Sequence, residues 1–196
     1  MTVFLIILVA YLIGSIPFGL VGKFFFKIED PRTFGSKNIG ATNVLRSGNK
    51  KAAAFTLFFD MFKGFIAVFI SSFIDNDLVY LAILSVVFGH IFPVYLLFKG
   101  GKGVATFLGA LVSYSAVVGS LTLLAWITVF YFTRKSSVAG ISAIVLSNLF
   151  LFVFCDDTSV KFSLLLLSIV ILFKHSENIK RLLNKEEFSF QGRDKN

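Results

Sequence analysis

The sequence predicts an all-helical protein, a polytopic transmembrane bundle of about seven helices with its N-terminus outside and its C-terminus cytoplasmic. Composition leads there first. Of the 196 residues, 56% are hydrophobic and only 15% charged, and mean hydropathy is +0.84, whereas a soluble domain carries about 25% charged residues. The 26 Phe residues suit a lipid-facing surface better than a compact soluble core. The apolar runs also follow one another with only short polar breaks. No stretch is left for a soluble domain, so residues 1–196 read as one integral membrane domain. The single Cys155 excludes an intrachain disulfide and a multi-cysteine metal site.

A spanning helix needs about 20 mostly apolar residues. The first expected helix covers 2–25. Met1–Tyr11 is apolar like a leader peptide, but a basic n-region is missing and the run continues past Gly14 and Pro17 to Phe26, so it is read as a span. Helices follow at 52–74 and 78–98. The stretch 104–133 has 30 residues between charged ends. As one helix it would extend about 45 Å, and one of its basic ends, Lys99/Lys102 or Arg134/Lys135, would lie outside. Two short or tilted helices, 104–115 and 117–133, turning near Ser113–Gly119, keep both ends on one side; six helices in all is the alternative. Helices at 138–155 and 159–174 complete the bundle.

Charge orients it. The segment 27–51 carries Lys27, Arg32, Lys37, Arg46, Lys50 and Lys51. The tail carries Lys174, Lys180, Arg181, Lys185, Arg193 and Lys195. The opposite turns carry Asp75, Asp77, Asp156 and Asp157, with Lys161 as their one cation. Because Lys and Arg favour the cytoplasmic side, residues 35–46, 99–106, 134–137 and 174–187 are all expected there, at one polar surface. The net charge of +8 is largely this topology signal. Nucleic acid is a poor partner for cations scattered over short loops, and no obligate protein partner is evident.

Three polar clusters stand out. Gly35-Ser-Lys-Asn-Ile-Gly-Ala-Thr-Asn-Val-Leu-Arg46 combines glycines with hydroxyls, amides and cations. Gly35 and Gly40 let backbone N–H groups approach an anion. Ser36, Asn38, Thr42 and Asn43 offer neutral donors, and Arg46 offers a fork suited to phosphate oxygens. The plain alternative is a solvated turn-rich loop. Lys99–Thr106, KGGKGVAT, opens a helix, where free N–H groups and Lys102 favour phosphate. Gly101, Gly103 and Thr106 belong to the same candidate set. The frame is not that of a nucleotide-binding P-loop, and the plain alternative is a tight turn with interfacial lysines. After the last span, His175, Asn178 and Arg181 share one face if the helix continues; a basic tail meeting lipid headgroups is the alternative.

Asp60 and Lys63 lie inside an apolar run, where ionisable groups are costly. Their spacing suits a structural ion pair. His90, near Pro93, reads as a hydrogen-bonded residue of a kinked helix with no catalytic role. Five residues after His90 comes Tyr95, and five after His175 comes Lys180, so neither histidine begins a His-x-x-x-x-Asp dyad. A Gly-x-Ser-x-Gly elbow and a carboxylate cluster for Mg²⁺ are also missing. No metal and no cofactor are expected.

These motifs resemble the bacterial acyl-phosphate-dependent glycerol-3-phosphate acyltransferases. The residues carrying the likeness are Ser15-Ile-Pro17 with Phe18, GSKNIGATNVLR at 35–46, DMFKG at 60–64, GHIFPVYLLFKGGKGVAT at 89–106 and KHSENIKRLL at 174–183. Their order and spacing match over essentially the whole chain. The resemblance implies a multi-pass enzyme of the bacterial inner membrane with its active site facing the cytoplasm. It implies transfer of an acyl group from acyl phosphate to the 1-hydroxyl of glycerol 3-phosphate, giving lysophosphatidic acid and inorganic phosphate. It implies a basic phosphate pocket drawing on Ser36, Asn38, Thr42, Arg46, Lys102 and a serine after the fifth helix, for which Ser137 fits and Ser136 is adjacent. His175 and Asn178 match the third motif. That motif often ends in Gly-x-Glu with a later cation; here Lys185-Glu-Glu187 and Ser189 stand instead.

An acyl phosphate is already activated, so positioning and electrostatics can supply much of the rate. The acceptor of the hydroxyl proton is either His175 or the acyl phosphate's own oxygens. A transporter of a phosphorylated solute is the rival class, but transporters usually site substrate near the bilayer midplane, whereas these clusters crowd one face. A non-catalytic membrane scaffold leaves the Gly–Asn–Thr–Arg pattern unexplained.

Overall fold

The structure, a computed structural model, describes residues 1–190; Arg193 and Lys195 of the basic tail lie outside the described residues. Among the described residues there is no β-strand. The helices are α1 (Thr2–Ser15), α2 (Phe18–Phe26), α3 (Ala41–Leu45), α4 (Lys50–Ile74), α5 (Val79–Ile91), α6 (Val104–Tyr114), α7 (Ala116–Thr133), α8 (Ser136–Phe154), α9 (Thr158–Lys174) and α10 (Ser176–Leu183). A helix lies within every expected membrane segment, though two of the segments are interrupted.

Local chemistry sets their ends. The expected helix 2–25 breaks at Ile16–Pro17, because proline has no N–H to continue α1; the Pro17 carbonyl instead receives Leu20 and Val21 as α2 begins. Asn49 caps α4 by accepting from the Ala52 N–H at 3.0 Å, and Asp157 caps α9 through Val160 at 3.0 Å. The expected helix 78–98 stops at Ile91, two residues before Pro93, and a 3-10 turn at Val94–Leu96 follows. The turn foreseen near Ser113–Gly119 falls at Ser115, whose backbone is extended. Gly119 then lies against the Val112 backbone, where a Cβ would overlap.

Among the described residues, five spans are long and apolar enough to cross a membrane: Thr2–Phe26, Lys50–Ile74, Asn76–Leu96, Ala116–Thr133 and Ser136–Phe154. The pair α9 and α10, bent by 56° at their junction, passes the same length and hydropathy test only when taken together. With 11 residues, α6 rises about 16 Å, roughly half the hydrocarbon thickness. Phe24, Phe73, Phe132, Phe152, Phe162 and Phe173 are exposed on the helix surfaces, as expected of side chains that face lipid.

The chain forms two compact units, Met1–Gly119 and Ser120–Asn196. In the first, α1 packs on α5, and α4 packs on α6. Glycines set the approach: Gly64 of α4 lies on the Thr106 carbonyl, and Gly109 of α6 on the Met61 carbonyl. Small residues that let helix backbones touch are the usual means of packing where lipid removes the hydrophobic drive. In the second unit α8 packs on α9, and Ala143, Ile144 and Leu151 of α8 and Leu164, Leu167 and Ile171 of α9 are buried. Asn148 of α8 donates across to the Ser168 hydroxyl of α9 at 2.7 Å.

Candidate active site

In the first unit, Asn43 organises the loop 35–46. Its side-chain N–H groups reach the carbonyls of Pro31 at 2.7 Å, Asn38 at 2.9 Å and Phe34 at 3.2 Å. Its Oδ1 accepts from the Ser36 N–H at 2.9 Å and from Arg46 Nη1 at 3.1 Å. Asn43 is buried, so the amide expected to meet a ligand builds the loop instead. Gly35 is required here: its φ is +55° and a Cβ would overlap Asn43 Oδ1. Asn38 Oδ1 accepts from the Gly40 N–H at 3.0 Å, tightening the turn into α3. The result keeps Ser36, Thr42 and Arg46 half-buried around one short loop.

Arg46 also borders an open depression of about 980 Å³, whose lining includes Lys27, Glu29, Asn49, Lys50 and Lys51. Two cations just upstream, Lys23 and Arg32, are already paired. Asp30 accepts from Arg32 at 2.8 and 3.0 Å and from Lys23 at 3.2 Å. The Arg32 hydrogen bonds hold the Asp30 carboxyl well below the usual carboxylate range.

The second cluster folds back on the end of α5. The N–H groups of Gly100 and Gly101 donate to the carbonyls of Ile91 at 3.2 Å and His90 at 3.0 Å. Gly103, at φ +88°, caps α6. Lys102 is half-buried beside the first N–H groups of α6, which have no acceptor within the helix and favour an anion. Thr106, foreseen as a phosphate ligand, is buried with its hydroxyl 3.1 Å from His90 Nδ1.

The second unit gathers Ser137 and Asn178 on a residue the sequence left unassigned. Glu187 Oε1 accepts from Ser137 Oγ at 2.8 Å and from Asn178 Nδ2 at 2.7 Å, and Oε2 accepts from Arg181 Nε at 2.9 Å. Burial pushes the Glu187 carboxyl up, but the bonds from Asn178, Ser137 and Arg181 outweigh it and hold it below its ordinary value. Asn178 and Arg181 therefore share a face as expected. His175 stands at the bend between α9 and α10, as the residue that precedes the first turn of α10. Its Nδ1 lies 2.8 Å from the Ile171 carbonyl. A carbonyl only accepts, so Nδ1 carries the hydrogen, and in the neutral ring Nε2 carries the lone pair.

Lys185 explains how Glu187 arrives without the glycine of the related motif. Lys185 adopts φ 61°, the left-handed position that glycine usually fills after a helix. The Glu186 N–H bonds to the Arg181 carbonyl at 2.8 Å and the Lys185 N–H to Leu182 at 3.1 Å, a Schellman closure. Lys185→Gly should raise the thermal stability of the purified protein by about 1 kcal/mol, because it relieves the left-handed strain of a side-chain-bearing residue. A lower melting temperature for that variant would contradict this reading.

A family model described as glycerol-3-phosphate acyltransferase matches residues 4–185. The chain belongs to the glycerol-3-phosphate acyltransferase family. A member from Burkholderia pseudomallei is 45% identical over 192 residues, covering 95% of both chains. One from Paraburkholderia phymatum is 41% identical, covering 93% of this chain and 90% of its own. The crystal structure of PlsY (YgiH), an integral membrane glycerol 3-phosphate acyltransferase in its glycerol 3-phosphate form, superposes with TM-score 0.91 at 39% identity, covering 97% of this chain and 96% of that one. Its lysophosphatidic acid form gives TM-score 0.90. The transporter alternative has no counterpart among these relatives of the acyltransferase family.

Proposed function

We propose that this acyltransferase-family protein transfers an acyl group from acyl phosphate to the 1-hydroxyl of glycerol 3-phosphate, releasing lysophosphatidic acid and inorganic phosphate. The observation that carries this reading is the glycine turn 99–103, which sets Lys102 beside the amide-rich N-terminus of α6. Arg46, on a loop held by Asn43, is a second phosphate-binding cation. Glycerol 3-phosphate and a lysophosphatidic acid are the ligands named for the two PlsY crystal forms, which supports an anionic glycerol phosphate as substrate here.

In the proposed step, the hydroxyl oxygen attacks the carbonyl carbon of the acyl phosphate. A C–O ester bond forms, the carbonyl C–O bond to phosphate breaks, and the hydroxyl proton passes to an oxygen of the departing phosphate. Lys102, Arg46, Ser36 and the loop amides neutralise the charge that grows on the phosphate oxygens. Ser137, His175 and Asn178 are assigned to substrate positioning, and His175 Nε2 is the alternative proton acceptor. The exposed Phe-bearing helix faces suit the acyl chain.

The decisive experiment is purified protein mixed with acyl phosphate and glycerol 3-phosphate and assayed for lysophosphatidate. Turnover is expected without added metal. Robust product from acyl-CoA alone would overturn the donor assignment, and complete loss of activity in chelator would overturn metal independence.

The site is proposed to face the cytoplasm of a bacterial inner membrane, with the N-terminus outside. The support is the lopsided Lys and Arg distribution. In a Cys155→Ser background, cysteines introduced near Asp75 and Asp157 should label from outside, and cysteines near Lys50 and Lys185 should not. External labelling at Lys50 would reverse the orientation.

A further inference from the structure

The first unit holds a buried polar group of residues that phosphate binding does not use. Asp60 and Lys63 on α4 and His90 on α5 are 2%, 2% and 5% exposed, and Thr106 on α6 is fully buried. Lys63 Nζ lies 2.8 Å from Asp60 Oδ1, donates to the Ile16 carbonyl at 2.8 Å where Pro17 interrupts the first span, and sits 5.6 Å from the Phe18 ring centroid. The same Asp60 oxygen also lies 3.5 Å from His90 Nδ1, and that nitrogen is 3.1 Å from the Thr106 hydroxyl. Residues from two neighbouring helices, Asp60 of α4 and Thr106 of α6, thus bear on one edge of the imidazole.

The opposite edge of the ring faces the glycine turn. A Cβ on Gly101 would overlap His90 Nε2, and one on Gly100 would overlap the His90 carbonyl. The Gly101 N–H bonds to that carbonyl at 3.0 Å. A turn containing Gly100, Gly101 and Gly103 has no side chains of its own to fix its path. Its shape comes from the surface on which it rests, the end of α5, where the His90 ring lies under Gly101, Pro93 under Gly100, and Ile91 and Val87 under Gly103. If the ring turned, it would enter the space of Gly101 or withdraw support from it. Either movement displaces the next residue, Lys102.

We propose that His90 is a positioning residue for the Lys99–Gly103 turn, its ring held between Thr106 and Asp60 on one side and Gly101 on the other so that Lys102 meets phosphate in the right place. The proposal rests on the phosphate role given above to Lys102. The magnitude is set by geometry, because a misplacement of about 1 Å can cost on the order of 10²-fold in rate.

The test is steady-state kinetics with acyl phosphate and glycerol 3-phosphate on purified variants. His90→Ala should lower kcat/KM about tenfold or more, with His90→Asn, which keeps a polar atom near Nδ1, recovering most of the loss. Thr106→Val, nearly unchanged in volume, should lower kcat/KM about threefold or more. In a Lys102→Ala background both His90→Ala and Thr106→Val should cost less than about threefold, since they act through the residue already removed. Losses that multiply in the double variants, or near-normal rates for Thr106→Val and His90→Ala, would overturn the proposal. Should His90→Ala not fold, the Thr106→Val cycle decides the same question. A readout independent of turnover separates this proposal from the functional one. In a Cys155→Ser background, a cysteine probe made by Lys102→Cys should react with maleimide at a rate changed at least threefold by Thr106→Val. An unchanged rate overturns the positioning role, whereas an inactive wild-type protein with a changed rate overturns only the reaction.

Discussion

Arg46→Ala and Lys102→Ala are each expected to lower kcat/KM by about 10²-fold or more, the scale for losing one preorganised charge-stabilising group. Both variants should insert and fold. Arg46 is half-buried on a surface loop, and its removal leaves Asn43 Oδ1 still bonded to the Ser36 N–H. Lys102 sits outside the helix bodies, at the mouth of α6. Arg46→Lys should also be impaired, because a point charge does not replace a planar two-pronged donor. Ser137→Ala should cost less, since it removes one neutral donor. Steady-state kinetics on folded variants checks all four. Near-normal rates for both alanine variants would move the phosphate site elsewhere and remove the main support for the proposed reaction.

The other large effect concerns stability. Asp60→Ala should destabilise the purified protein by about 3–5 kcal/mol, because it strands the buried Lys63 ammonium without its partner. Lys63 keeps the Ile16 carbonyl, which offers a dipole but no neutralising charge. The double variant Asp60→Ala/Lys63→Met should recover most of the loss, since an apolar pair leaves no unpaired charge. Thermal unfolding in detergent, followed through Trp126 fluorescence, distinguishes the outcomes. A double variant as unstable as the single one would mean that Asp60 stabilises the unit through His90 rather than through Lys63.

Much of the site was visible as composition and spacing. The Asp60–Lys63 pair followed from a three-residue interval on one helix, and the polar runs 35–46, 99–106 and 174–181 marked themselves against an apolar background. What the members of those runs touch was not legible. Asn43 looks in sequence like one more donor for a ligand, and in the fold it is the hub of its loop. Thr106 looks like a phosphate hydroxyl, and it meets His90. Glu187 had no evident role because its preceding glycine is Lys185, yet Lys185 takes the left-handed turn itself.

The sequence by itself determined the all-helical membrane class, the order of the spans and most of their ends. Those properties depend on apolar run length, on proline's missing N–H and on short-range caps such as Asn49 and Asp157, all within a few residues along the chain. Only the tertiary structure decided that Ser137 and Asn178 converge on Glu187, which is 50 residues from Ser137, and that His90 underlies the glycine turn. A buried polar group must find a partner when water is excluded, but which partner depends on helix packing. That packing is fixed by close contacts such as Gly64 on Thr106, and no local pattern in the chain records them.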